Sequence, residues 1–169
     1  LDADNLSVLA APAMNKAQTV AELKEALRHH VAPQQNVVMA DTQGHTAFIA
    51  AGRVPIRKPE NDINGLAPVP GWDAKYDWAG YLPYEQLPQQ TVESFLATAN
   101  QRIHGDSYPH YLSGEWAHVG RKQRIEELLA AKSKHDAQSL REIQHDLKHT
   151  HDMPLLKWLP KITSKHPLA

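Results

Sequence analysis

Between Arg53 and Gln90 runs "RVPIRKPENDINGLAPVPGWDAKYDWAGYLPYEQLPQQ", a stretch in which proline recurs too often for any regular element to extend far. Proline fixes its own φ, removes a backbone donor and biases the preceding residue away from helix. A connection this long inside a compact domain is either functional or disordered. Trp72, Tyr76, Trp78, Tyr81 and Tyr84 argue against disorder, because disordered segments are poor in aromatics. The expectation is an ordered loop pinned by aromatic anchors.

The flanks carry clearer periodicities. Thr19 and Glu22 form a T-x-x-E capping box, with Val20, Leu23, Leu27 and Val31 following at helical spacing until Pro33. "NVVMADTQGHTAFIAAG" reads as two strands around Thr42-Gln43-Gly44-His45, with Gly44 able to take the positive φ of a tight turn. "ESFLATAN", 93–100, is a further strand candidate, ending abruptly on Asn100. Residues 121–131 and 136–149 return to helix; Ile125, Leu128 and Leu129 share one face, and Leu140, Ile143 and Leu147 another. Asp136 with Ser139 marks the start of the second of these helices. A short amphipathic piece, "MPLLKWLPKI", precedes a polar tail. This order gives an α+β fold with antiparallel pairing, read as a single segment over 1–169.

Composition removes whole classes of function. A net charge of -1 and the lack of any basic run give no footprint for nucleic acid. Cysteine is absent, which excludes disulfides, zinc-thiolate sites and thiol catalysis by this chain. No stretch approaches the roughly 20 apolar residues of a membrane span. Leu1 is followed at once by Asp2 and Asp4, without a signal-peptide pattern, and a start on Leu is what a processed or excised piece would give.

Self-sufficient chemistry is hard to find. No serine lies in a G-x-S-x-G elbow or an S-x-x-K tetrad, and the glycines are scattered rather than grouped around a phosphate. Histidine is abundant, with 11 residues. His145 and His149 stand i, i+4 on the last long helix with His151 and Asp152 beyond, a spacing used in helical zinc sites. No Glu follows His145, however, Lys148 adds a repelling charge nearby, and a solvated polar face opposite Leu140, Ile143 and Leu147 is the better account of the pair. Asn100 has two readings as well. It is a turn residue that closes a strand, or a side-chain amide held out to bind developing negative charge.

Four segments taken together resemble the penicillin acylases of the N-terminal-nucleophile hydrolase superfamily. They are "QQNVVMADTQGHTAFIAAGRVPIR" (34–57), "APVPGWDAKYDWAGYLPYEQLP" (67–88), "FLATANQRI" (95–103) and "YPHYLSGEWAHVGRKQRIEELL" (108–129). Each motif is weak alone, but their order and spacing agree over about residues 10–160. The resemblance implies an interior fragment of the family's large subunit, part of an αββα sandwich. In that family a precursor cuts itself so that a Ser becomes an N-terminus, serving as nucleophile with its own α-amino group as base. No segment here matches that Ser, so this chain alone is expected to be inactive.

The resemblance implies that Asn100 is the oxyanion donor, within Ala97-Thr98-Ala99-Asn100-Gln101, where Gln101 replaces a usual second Asn. It also implies a supporting arginine at Arg121, with Arg124 as a rival. Ala99 stands where some members carry an aromatic residue against the acyl chain. The implied partners are the remaining large-subunit segments and the small subunit. The implied substrates are penicillin-type side-chain amides or acyl-homoserine lactones, and the implied location is periplasmic or extracellular. No cofactor is expected from this chain. Calcium is possible in the full-length enzyme, but His110, Tyr111 and Leu112 follow Tyr108-Pro109 where some members place an Asp ligand. A different class of function also fits the composition: a non-catalytic module using the 53–90 aromatic loop as a ligand groove.

Overall fold

The structure, a computed structural model, describes residues 5–150, 153–159 and 163. It divides into two compact units: one holds the chain up to Leu96 together with His104–Glu115, the other Ala97–Ile103 and the chain from Trp116 onward.

In the first unit, helices α1 (Ser7–Lys16) and α2 (Val20–Ala26) precede the hairpin of β1 (Gln35–Ala40) and β2 (Thr46–Ala51). The capping signal holds in a modified form. Thr19 Oγ1 accepts the Glu22 N–H at 3.1 Å, while Glu22 reaches back to the N–H of Gln18 rather than that of Thr19. Helix α1 was not expected from sequence, because Pro12 lies inside it and removes one helical donor.

The hairpin pairs in the register Gln35↔Ala51 to Ala40↔Thr46. Gly44 takes φ +87° in its turn. The turn's organising group is Asp41. Oδ1 accepts the N–H groups of Gln43 (3.0 Å) and His45 (2.9 Å), and Oδ2 accepts that of Val20 at the head of α2 (3.3 Å). One carboxylate thus ties the turn to the helix that covers the sheet. Leu27, Met39, Ala47, Ile49 and Ala51 form the core beneath, with Val20, Leu23 and Tyr84 packed against it.

The long connection is ordered, and it contains strands the sequence hid. β3 (Pro55–Arg57) pairs antiparallel with β4 (Trp78–Tyr81), and β5 (Gln89–Thr91) joins β2 to give the order β1-β2-β5. Its tryptophans are not the anchors: Trp72 is 90% exposed and Trp78 57%. Aliphatic residues do that work, since Leu82 and Leu87 are buried with Val54. Tyr84 contributes from the aromatic set, packing on both clusters and donating its hydroxyl to Lys24 O at 2.5 Å. Asn61, itself buried, closes a turn by accepting the N–H groups of Ile63 and Asn64.

The expected strand over 93–100 is absent; that segment is irregular, and the third strand of the sheet lies just before it at β5. The second unit is otherwise helical, with α3 (Gly120–Ala130), α4 (Ala137–Gln144) and the short α5 (Met153–Leu156). Asp136 and Ser139 make a full capping box at the start of α4. The helix stops at Gln144 rather than continuing to residue 149. Asp146 is drawn into a two-point ion pair with Arg124 of α3, at 3.0 and 2.7 Å, which turns the chain off the helical path. Arg124 also holds Glu127 at 2.7 Å, and these carboxylates raise its pKa above the usual arginine range.

Candidate active site

The residues around Asn100 are held without a β-ladder. Ala97, Ala99 and Gln101 are each 6% exposed while Asn100 is exposed, an inside-outside alternation of the kind that makes the segment read as a strand. Their backbone groups are satisfied from elsewhere. The Ala99 N–H donates to Oε1 of buried Gln101 at 2.7 Å, and the Asn100 carbonyl accepts from the Ala117 N–H at 2.9 Å. Arg121, in the first turn of α3, donates Nη2 to the Ala99 carbonyl at 2.7 Å. At Asn100 the extended run breaks, because φ is +65°, a left-handed value that Asn tolerates better than most residues.

The same Arg121 Nη2 donates to Asn100 Oδ1 at 2.8 Å. A guanidinium has only donors, so the amide atom facing it is the oxygen. That fixes the orientation of the side chain and directs Nδ2, with its two N–H groups, to the opposite side. No acceptor among the described residues holds Nδ2. Of the two arginines weighed from sequence, Arg121 meets Asn100, whereas Arg124 is committed to Asp146 and Glu127. Gln101 was noted only as a departure from the usual motif. Its structural part, bracing the Ala99 amide, could have been suspected from its place in the buried phase of the alternation.

Other candidates are not assembled for catalysis. Ser139 Oγ lies 3.2 Å from His135 Nδ1, which superficially suggests a nucleophile and base. Yet Ser139 is 6% exposed, and its hydroxyl accepts the Asp136 N–H at 3.0 Å within the cap of α4. His145 terminates α4 and His149 follows in irregular chain, so helical spacing does not align them. His151 and Asp152 lie outside the described residues. Among the described residues no group of three or more His, Cys, Asp or Glu is placed to hold a metal. Where some members of the family carry an Asp ligand, His110 stacks edge-on against Tyr108 with ring centroids 5.5 Å apart.

Trp78 and Tyr81 meet edge to face at 5.8 Å, while Trp72 projects into solvent. A cavity of about 150 Å³ in that unit is lined by Arg57, Asn64, Gly65, Leu66 and residues 111–115, none of them the loop's tryptophans. No helix among the described residues is long and apolar enough to cross a membrane.

Comparison with known proteins bears on the family and the fold. A family model described as penicillin amidase matches residues 1–168. The acyl-homoserine lactone acylase QuiP of Pseudomonas aeruginosa is 38% identical over 138 residues, covering 79% of this chain and 16% of that protein. The penicillin acylase 2 proenzyme of Pseudomonas sp. (strain SE83) is 36% identical over 120 residues, covering 70% and 15%. Among solved structures, a thermostable penicillin G acylase from Alcaligenes faecalis superposes with a TM-score of 0.71 at 19% identity, over 98% of this chain and 31% of that one. This likeness gives the fold, that of a segment of an N-terminal-nucleophile hydrolase. The chain spans about 16% of the length of the acyl-homoserine lactone acylase.

Proposed function

The chain belongs to the penicillin amidase family, and from that premise we propose that it is one part of an enzyme that hydrolyses acyl amides by acyl transfer, supplying the oxyanion donor. The observation that carries this reading is the bond from Arg121 to Asn100 Oδ1 at 2.8 Å. It orients an exposed side-chain amide so that its N–H groups are presented and its oxygen is not.

In this reading the nucleophile comes from the rest of the polypeptide, as a serine freed at a new N-terminus whose α-amino group takes its proton. Attack on the amide carbonyl places negative charge on oxygen. Asn100 Nδ2 donates to that oxygen, and the charge on Arg121 makes the Asn100 amide a stronger donor by polarising it. The amine then leaves, and water releases the acyl group from the serine. A pre-set donor of this type contributes on the order of 100- to 1000-fold in rate. Small acyl amides, among them acyl-homoserine lactones and penicillin-type amides, are the proposed substrates. The remaining segments of one precursor are the proposed partners, and a periplasmic or extracellular location is the proposed setting.

The test is the complete precursor carrying Asn100→Ala, assayed against phenylacetyl and long-acyl amides after chain cleavage is verified on a gel. Correct cleavage with kcat reduced at least 100-fold is expected. Near-normal turnover by correctly cleaved enzyme would remove Asn100 from the mechanism.

A further inference from the structure

Arg57, at the end of β3, is a cation that no described carboxylate neutralises. Its guanidinium lies over the Tyr111 ring, 5.4 Å from the centroid. It also approaches Gly65 so closely that a Cβ there would meet Nη2 at 2.5 Å. The ring attracts the charge and leaves the hydrogen-bond donors unspent. Arg57, Asn64, Gly65, Tyr111 and Glu115 share the wall of the cavity of about 150 Å³ in the first unit. On the same measure one water needs roughly 10–15 Å³, so the space admits a small molecule.

Local structure holds these groups in place. Asn64 and Gly65 form the centre of a tight turn, with φ +54° and +79°, closed by the Leu66 N–H donating to Ile63 O at 3.0 Å. On the other side, Ser113 Oγ donates to Glu115 O and accepts the Glu115 N–H, both at 3.0 Å. The two sides touch at Gly114, where a Cβ would lie 2.7 Å from Leu66 Cδ2 and 2.8 Å from the Tyr111 hydroxyl oxygen. The Asn64 amide, the Tyr111 hydroxyl and the Glu115 carboxylate have no hydrogen-bond partner among the described residues. Arg57 and Glu115 do not pair with one another either. The wall therefore carries one charge of each sign, neither spent on the fold, together with two neutral polar groups.

We propose that this cavity binds a small α-amino acid as its zwitterion, the carboxylate on Arg57 and the ammonium group on Glu115. A guanidinium fork meets a carboxylate at two points. An ammonium group has three donors and no acceptor, which suits Glu115 with the Asn64 amide oxygen and the Tyr111 hydroxyl oxygen. A simple anion gains Arg57 but meets the like charge of Glu115, and a simple cation has the reverse fault. A molecule with both signs meets neither penalty, so the pair of charges selects for it. The volume favours the smallest members of the class. This inference is drawn from the cavity's own groups and does not rest on the acylase reading.

The experiment is calorimetric titration of the complete, cleaved enzyme, which needs no turnover and so is unaffected if Asn100 proves dispensable. Glycine, acetate and methylammonium are titrated separately into the wild type, Arg57→Gln and Glu115→Gln, with folding checked by circular dichroism. Saturable binding of glycine is expected, with acetate and methylammonium each at least about tenfold weaker, because each forfeits one charge-assisted contact. Arg57→Gln and Glu115→Gln are each expected to weaken glycine by a similar factor. Glu115 is exposed and its carboxylate holds nothing in the described fold, so Glu115→Gln decides the matter should Arg57→Gln fail to fold. The proposal is overturned if glycine does not saturate the wild type, or if acetate or methylammonium binds as tightly as glycine. Unchanged glycine affinity in either folded variant overturns it as well.

Discussion

Two side chains make the site intelligible at the residue scale. Asn100 provides an amide, and Arg121 decides which end of it is presented. Arg121 also holds the Ala99 carbonyl, so a single nitrogen secures both the backbone and the side chain at this point. A lysine at 121 keeps the charge but replaces a planar fork with a mobile point donor. Losing one charge-assisted hydrogen bond costs about 1.5–3 kcal/mol, roughly ten- to a hundredfold in rate if it is felt only in the transition state. Arg121→Lys is accordingly expected to lower kcat more than it alters KM, a split that steady-state kinetics of the cleaved enzyme reads directly.

At the scale of elements, the segment 97–101 and the 41–45 turn show how side chains replace regular structure. Gln101 is buried and supplies the acceptor for the Ala99 N–H, a group that a neighbouring strand would otherwise satisfy. Gln101→Met keeps the bulk and removes the acceptor. An unsatisfied buried donor costs about 1–3 kcal/mol, to be read as a lowered midpoint in denaturant. At Asp41, burial pushes the carboxyl pKa upward, but the N–H groups of His45, Val20 and Gln43 and the His45 ring outweigh it and bring the value down to about 2. A folded-state pKa below the unfolded one means a contribution fully present above about 4. That contribution is lost as pH falls through about 2. The thermal midpoint of the wild type is expected to fall over that window by more than that of Asp41→Asn, which lacks the titrating group.

The hairpin, the Thr19 cap, the α4 start and the final long helices were legible because each has a local signal: alternation, a cap residue, a 3.6-residue period. Three features were not. The short apolar run within 93–100 predicted a strand, but pairing is decided by a partner elsewhere in the chain, and here side chains supply it. The length of the last helix was overestimated because the Arg124–Asp146 pair that ends it joins residues 22 positions apart. β3, β4 and β5 are only three or four residues long, too short for a period to register among prolines. Asn100 itself could be singled out only through resemblance, since a lone Asn at the end of an apolar run is chemically ordinary.

For the molecule as a whole, the proposed reading has this segment supply a donor and its support, with the nucleophile assigned to polypeptide outside it. The account therefore stands on whether the Nδ2 hydrogens of Asn100 act on the developing charge. The direct measurement is the kcat of the complete, correctly cleaved enzyme with Asn100→Asp, which retains an oxygen for Arg121 to hold but replaces the donating NH₂ with a second oxygen. The account predicts a fall in kcat of at least about 100-fold, with an unchanged thermal midpoint. Turnover within about threefold of wild type would contradict it, because no enzyme depends on a donor it can lose.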